Sequence, residues 1–215
     1  MENSMNITEE MLDTLRENVA SGMSQKRFRH TAEVEKMAAY LGGLYAPEKV
    51  TLLRAAALLH DVTKEYSTDM HLKICAERDI ELERDALYAP KTLHARTAAA
   101  LIPERYPQFA DGEIISCVRW HTTGRAGMTL TEKLIYLADY IDMSRTFEDC
   151  VRLREFFMSA RPEELDMPER EKHLRRTLIM SFDMTVRGLL EDGLPVNRDT
   201  VEARNALICE ELADK

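Results

Sequence analysis

Apolar positions along this chain recur at offsets of three, four and seven residues, the repeat of a helix that buries one face. Val34, Met37 and Leu41 set such a stripe and predict a helix over about 25–44, with His30 on the same face. Pro47 opens a second helix whose inward side holds Leu53, Ala56 and Ala57, and His60 and Asp61 close it beside the core. The section 65–91 is polar and weakly patterned, with room for one or two short helices. Leu93 then starts a helix in which His94, Thr97, Ala98 and Leu101 share a face, and Ile114, Cys117, Val118 and His121 repeat the logic over 113–121. A glycine-punctuated loop, 122–127, follows. Thr129 or Thr131 can cap the next helix, which carries Leu134, Ile135, Leu137, Ala138 and Asp139. Further helices are predicted over about 147–160 and 169–192, then a stop at Gly193-Leu194-Pro195 and a last helix from about Thr200.

Composition agrees with an all-α fold, because Ala, Leu, Glu and Arg are favoured over the β-branched and aromatic residues that strands prefer. No linker, low-complexity tract or fixed repeat interrupts the 215 residues, so one helical unit over 1–215 is expected, with a core at about 25–192 and a C-terminal helix at about 200–213. The net charge of -9 argues against general binding to nucleic acid or anionic membranes, yet leaves room for a local basic pocket. Cys75, Cys117, Cys150 and Cys209 are too widely spaced for a thiolate zinc site or a disulfide framework and read as small core residues. Met1–Ser4 does not begin a basic and then apolar leader, and no run of about eighteen apolar residues occurs, so a cytoplasmic soluble protein is expected.

The chemistry lies in His30, the adjacent pair His60-Asp61, His94, His121 and Asp139, each set in an apolar or alanine-rich stretch. One inward histidine is more often a satisfied core residue than a ligand. Several imidazoles buried beside ionised carboxylates are unfavourable unless a positive charge compensates them, and cations do so most directly. Imidazole and carboxylate donors suit Fe, Mn, Zn or Co, and six candidates exceed what one catalytic metal uses, which favours a binuclear centre bridged by Asp61. Asp142, three residues after Asp139 on nearly the same face, is the rival carboxylate, but its neighbours match no metal-binding string. His71 and His173 read as structural or solvent-facing. Thr122, Thr123 and the N–H groups near Gly124 and Gly127 can approach a phosphate, although as a lone signal the loop reads first as an ordinary turn. The charged run from Arg161 to Arg176 reads as a solvated helix face.

His30, the string Ala-Ala-Leu-Leu-His60-Asp61-Val-Thr-Lys64 and the string Leu-Ala-Asp139-Tyr together resemble the HD-domain metal-dependent phosphohydrolase superfamily. Leu93-His94-Ala95, His121-Thr122-Thr123-Gly124 and Arg145 narrow the resemblance to the YqeK family, over about 27–208. The resemblance implies an HD-domain helical bundle with a di-iron centre, acting as a symmetrical diadenosine tetraphosphate hydrolase that releases two ADP. It assigns His30, His60, Asp61 and Asp139 to one metal and Asp61, His94 and His121 to the other, with iron ahead of manganese, zinc or cobalt. It makes Asp61 and Lys64 catalytic, with Lys64 holding a phosphate or orienting the nucleophile, and matches Arg145 to the arginine after the last metal aspartate. The residues just before Arg145 depart from the Glu-Pro more often found there.

The expected mechanism is in-line attack by a metal-bridging hydroxide, with Lys64 and either Arg125 or Arg145 neutralising phosphate oxygens and Thr122 and Thr123 adding hydroxyl donors. The partner is then a small dinucleotide rather than nucleic acid or membrane, and a homodimer is compatible with the reading. Two alternatives stay open: an HD phosphohydrolase acting on a nucleoside monophosphate, a deoxynucleoside triphosphate or a cyclic nucleotide, and a non-catalytic nucleotide-binding module.

Overall fold

The computed structural model of the chain describes residues 6–214, so the reading of Met1–Ser4 lies outside the described residues. Ten α-helices and short 3-10 turns, with no strand among the described residues, make up the fold: α1 Glu9–Ser21, α2 Gln25–Tyr45, α3 Val50–Leu59, α4 Thr68–Glu77, α5 Leu93–Arg105, α6 Gly112–Trp120, α7 Leu130–Ile141, α8 Glu148–Ser159, α9 Met167–Glu191 and α10 Arg198–Ala213. No described helix is long and apolar enough to cross a membrane.

The stripes predicted from sequence are the buried faces. Val34 and Leu41 of α2 meet Leu53, Ala56 and Ala57 of α3, and all five are fully buried. The two helices approach closely because Gly42 lacks a side chain, since a Cβ there would stand 2.9 Å from Leu53 Cδ1. Leu134, Ile135, Leu137 and Ala138 close the core from α7, whose start is fixed by a capping box between Thr129 and Glu132. Helices α2, α3, α5, α6 and α7 therefore form the frame from which the polar residues project.

Three features differ from the sequence reading. Helix α1 precedes the expected core, yet buries Leu12, Leu15 and Val19. It is tied to α2 and α3 by the buried Glu35, which accepts from Arg16 at 2.7 Å and from Arg54 at 3.0 Å. Cys209, read as a small core residue, is exposed on α10. The run from Arg161 to Arg176 is no simple solvated face. Arg170 donates to the carbonyls of Leu44, Pro162 and Leu165, while Arg175 and Arg176 both pair with Glu211 of α10. Arg170 thus ties the end of α2 to the turn before α9, and Arg175 and Arg176 hold α10 against α9.

Candidate metal centre

Each polar residue reaches the centre from a different part of the frame. His30 projects from the first half of α2, His60 caps the C-terminus of α3 with Asp61 in the turn beyond it, His94 opens α5, His121 ends α6 and Asp139 lies in the last turn of α7. His60 and His121 are fully buried, and Asp61 and His94 nearly so. All six residues named from sequence converge.

Asp61 stands between two groups. Its Oδ2 faces His60 Nε2 at 3.4 Å and His30 Nε2 at 3.8 Å, whereas Oδ1 faces His94 Nε2 at 3.2 Å and His121 Nε2 at 3.9 Å. Asp139 Oδ1 joins the first group, 2.9 Å from His30 Nε2 and 3.8 Å from His60 Nε2. Donor atoms of His30, His60 and Asp139 lie within 4.8 Å of one another, as do those of His60, Asp61 and His121.

Backbone carbonyls fix the tautomers. His60 Nδ1 is 2.6 Å from Ala57 O, His94 Nδ1 2.8 Å from Lys91 O and His121 Nδ1 2.7 Å from Val118 O. A carbonyl only accepts, so each Nδ1 carries the proton and each Nε2 of a neutral ring presents a lone pair to the centre. Burial, reinforced by the neighbouring His94 and His60, pushes the His121 imidazole well below its ordinary pKa and keeps it neutral. Yet the Nε2 atoms of His94 and His121 stand 2.9 Å apart. Two lone pairs aimed at one point repel unless a cation lies between them.

Buried polar atoms without hydrogen-bond partners point the same way. They include Nε2 of His60 and of His30, the latter close to Asp139 Oδ1 but not aligned to bond it. Burial alone would raise the Asp61 and Asp139 carboxyls. For Asp61 the His60 and His94 imidazoles overcome it, and for Asp139 Arg145 and His30 do, holding both well below the usual carboxylate range. A cluster of ionised carboxylates and unpartnered imidazole nitrogens is compatible with a divalent metal.

Several contributors were not read from sequence. Arg27 Nη1 bonds Asp61 Oδ2 at 2.7 Å, on the oxygen that faces His30 and His60. Asp142 is completely buried, with Oδ2 3.3 Å from His30 Nδ1, behind the ring rather than at the centre. Only the RFRH string at 27–30 and the one-turn spacing of Asp139 and Asp142 hinted at either. His71 bonds Thr97 Oγ1 at 2.9 Å, and His173 Nε2 is 3.0 Å from Phe157 O, so both are structural.

Beside the centre lies a cavity of about 600 Å³. Lys64, His121, Thr122, Thr123, Asp139 and Arg145 form its polar side; Leu189, Leu194 and Pro195 contribute an apolar side. Lys64 Nζ is 3.1 Å from His94 Nε2, and Arg145 bonds Asp139 through both its backbone carbonyl and its carboxylate. Burial lowers the Lys64 pKa against the pull of Asp61 and Asp139. Thr122 Oγ1 stands 3.2 Å from His94 Nε2 and 3.1 Å from His121 Nε2.

Arg125 goes elsewhere. It pairs with the buried Glu132 at 3.0 Å, lies over the Trp120 ring and does not line this cavity, which corrects its expected place beside a phosphate. Gly124, the first of the loop's two glycines, is likewise structural. Gly124 has φ +65°, and a Cβ there would meet Phe182 Cζ at 2.7 Å, so its missing side chain admits an aromatic ring and no ligand.

A model of the HD domain family matches residues 27–144, a segment that contains the whole centre. A Staphylococcus aureus protein described as a symmetrical bis(5'-nucleosyl)-tetraphosphatase is 30% identical over 184 residues, which cover 85% of this chain and 87% of that protein. A Bacillus subtilis protein of the same description is 29% identical over 190 residues, covering 88% of this chain and 94% of the relative. A crystal structure from Clostridium acetobutylicum, described as a "predicted HD superfamily hydrolase involved in NAD metabolism", superposes with a TM-score of 0.78 at 30% identity, over 92% of this chain and 97% of that one. With a frame of helices around a histidine and aspartate cluster, and a family match spanning every residue of it, the chain belongs to the HD domain family.

Proposed function

We propose that this chain is a metal-dependent phosphohydrolase that cleaves diadenosine tetraphosphate symmetrically. Water adds to one of the two inner phosphorus atoms, the central P–O–P bridge breaks, and two ADP result. The observation that carries this reading is the divided carboxylate of Asp61, one oxygen toward His30 and His60 and the other toward His94 and His121, beside a cavity of nucleotide size. The activity named for the Staphylococcus aureus and Bacillus subtilis relatives supports the choice of substrate. Such a substrate implies a cytoplasmic setting.

His30, His60, Asp61 and Asp139 would hold one cation and Asp61, His94 and His121 a second, with iron preferred and manganese, zinc or cobalt as substitutes. When bound, a pair of such ions acidifies water and draws charge from phosphate oxygens. The protein's own groups position and neutralise. The Nδ1 bonds to Ala57, Lys91 and Val118 lock three imidazoles with Nε2 inward. Lys64 supplies an ammonium group at the mouth of an otherwise acidic protein, and Arg145 adds a guanidinium, so a phosphate chain meets positive charge on entry. The Thr122 hydroxyl donates toward an oxygen placed near His94 and His121. Leu189, Leu194 and Pro195 cover a base and exclude water. The departing ADP is a stable phosphate anion, so its release does not depend on a strong acid.

The test is chromatography of products from the metal-loaded protein. ADP alone is expected from diadenosine tetraphosphate, and the variant with His60→Ala and Asp61→Ala should lose both bound metal and turnover. ATP plus AMP as products would reject the symmetrical cut. Rapid turnover of NAD beside an untouched tetraphosphate would move the assignment toward the words attached to the Clostridium structure.

A further inference from the structure

A second, smaller cavity of about 210 Å³ lies on the other side of Lys64, lined also by Tyr66, Thr68, His71, Pro90, Lys91 and His94. Lys64, Pro90 and Lys91 border both hollows. The larger hollow meets the centre at His121 and Asp139 and the smaller meets it at His94, so the two approach the same cluster from different sides across a pair of ammonium groups. Resting on the symmetrical-hydrolase reading, this arrangement has a specific consequence. A molecule cut at its central bridge leaves one nucleoside diphosphate on each side of the broken P–O–P link, and the two hollows offer one place for each half.

We propose that the groove at Tyr66 and Thr68 is the binding site of the second nucleoside diphosphate half, with Lys64 and Lys91 carrying the phosphate chain between the two hollows. Tyr66 is held as a surface, because its hydroxyl accepts from Arg105 and the same guanidinium lies 5.8 Å from the ring centre. Arg105 also adds a positive charge at this end. The groove is too small to enclose an adenosine, so the base lies against the tyrosine and is gripped by stacking, which every base permits. The main cavity, almost three times larger, encloses the other half. The loosely held half is then the first to leave, and specificity for two-headed substrates resides in the groove.

The test fills the groove from Thr68, an exposed residue at the first position of α4. Metal-loaded wild type, Thr68→Trp and Thr68→Glu are compared on diadenosine tetraphosphate and on adenosine 5'-tetraphosphate, which has only one nucleoside, and ADP binding is counted by calorimetry. Both variants should lose about tenfold in kcat/KM on the dinucleotide, the weight of one base stack, and keep their activity on the single-headed compound. ADP sites should fall from two in the wild type to one. Equal losses on both substrates, no loss on either, or an unchanged count of ADP sites would overturn the groove assignment. If Thr68→Trp does not fold, Thr68→Glu makes the same test by charge. A wild type that forms no ADP from the dinucleotide overturns the tetraphosphatase reading instead, and the ADP count alone then decides the groove.

Discussion

Asp142 offers the sharpest test of how the centre is held, because it touches no proposed metal position and lies entirely inside the protein. Its Oδ1 accepts the Ser144 N–H at 2.8 Å, and its Oδ2 has no aligned hydrogen bond but stands 3.3 Å from His30 Nδ1 and 3.5 Å from Arg145 Nε. Asp142→Asn keeps shape and the Oδ1 contact while removing the charge behind the imidazole. If the amide nitrogen takes the place of Oδ2, a donor faces two donors. Partners of ligand histidines typically govern metal affinity by about 10- to 100-fold, or roughly 1.4 to 2.8 kcal/mol. The His30 side of the centre should therefore bind its ion that much more weakly, while the side built from His94 and His121 is spared. Metal content after dialysis against graded chelator reads the loss, and melting of the metal-free protein reports the fold. Asp142 faces His30 and Arg145, so removing its charge should lower that melting temperature while leaving a cooperative transition. Wild-type metal retention in Asp142→Asn would refute the positioning role, as would a loss explained entirely by unfolding.

Three further outcomes are expected. Gly124→Ala forces a left-handed backbone at φ +65° and drives a methyl into Phe182, so strain of about 1 to 2 kcal/mol and overpacking of about 1 to 3 kcal/mol combine. Gly127→Ala shares the φ but meets nothing within 4 Å, so denaturant unfolding should show the smaller loss there, and equal losses would refute the packing account. Among the thiols, only Cys209 is exposed, while burial pushes Cys117 up to about 12; native labelling at pH 8 should modify one cysteine, against four after unfolding. His30 in the metal-free chain is raised to about 9, because Asp139 and Asp142 outweigh the lowering effect of burial. Ligation needs the neutral ring, so metal affinity at the His30 side should rise with pH, by up to about tenfold per unit below that value. Titrations at pH 6.5 and 8.5 giving equal affinity would contradict it.

The six centre residues were legible because each sits on an inward helical stripe or directly at its end, and a polar residue there has few explanations. Helix α1 was legible in principle: Thr8 caps it, and Leu12, Leu15 and Val19 have the right spacing. What could not be read was direction after a turn. Arg125 follows His121 by four residues and invites a role at the phosphate, but the left-handed Gly124 sends the chain away and its guanidinium ends on Glu132 and Trp120. Arg27 and Asp142 are hidden for another reason. Their roles are defined by side chains from other helices, and neither breaks the pattern of its own.

Charge ties these residues together. Asp61, Asp139 and Asp142 face Arg27, Lys64 and Arg145, so three carboxylates are matched by three cationic side chains before any ion is counted. Loading the centre with divalent cations therefore leaves a net positive charge inside a chain whose total is -9. Arg27, now on the Asp61 oxygen that a cation would share, must then find another acceptor. A highly anionic phosphate chain meets both needs, compensating the excess charge and accepting from the released guanidinium. Metal and tetraphosphate binding should accordingly be cooperative, and by linkage each must tighten the other by the same factor. Arg27→Lys, which keeps the charge but loses the planar fork, should preserve metal loading in the absence of nucleotide and weaken that coupling.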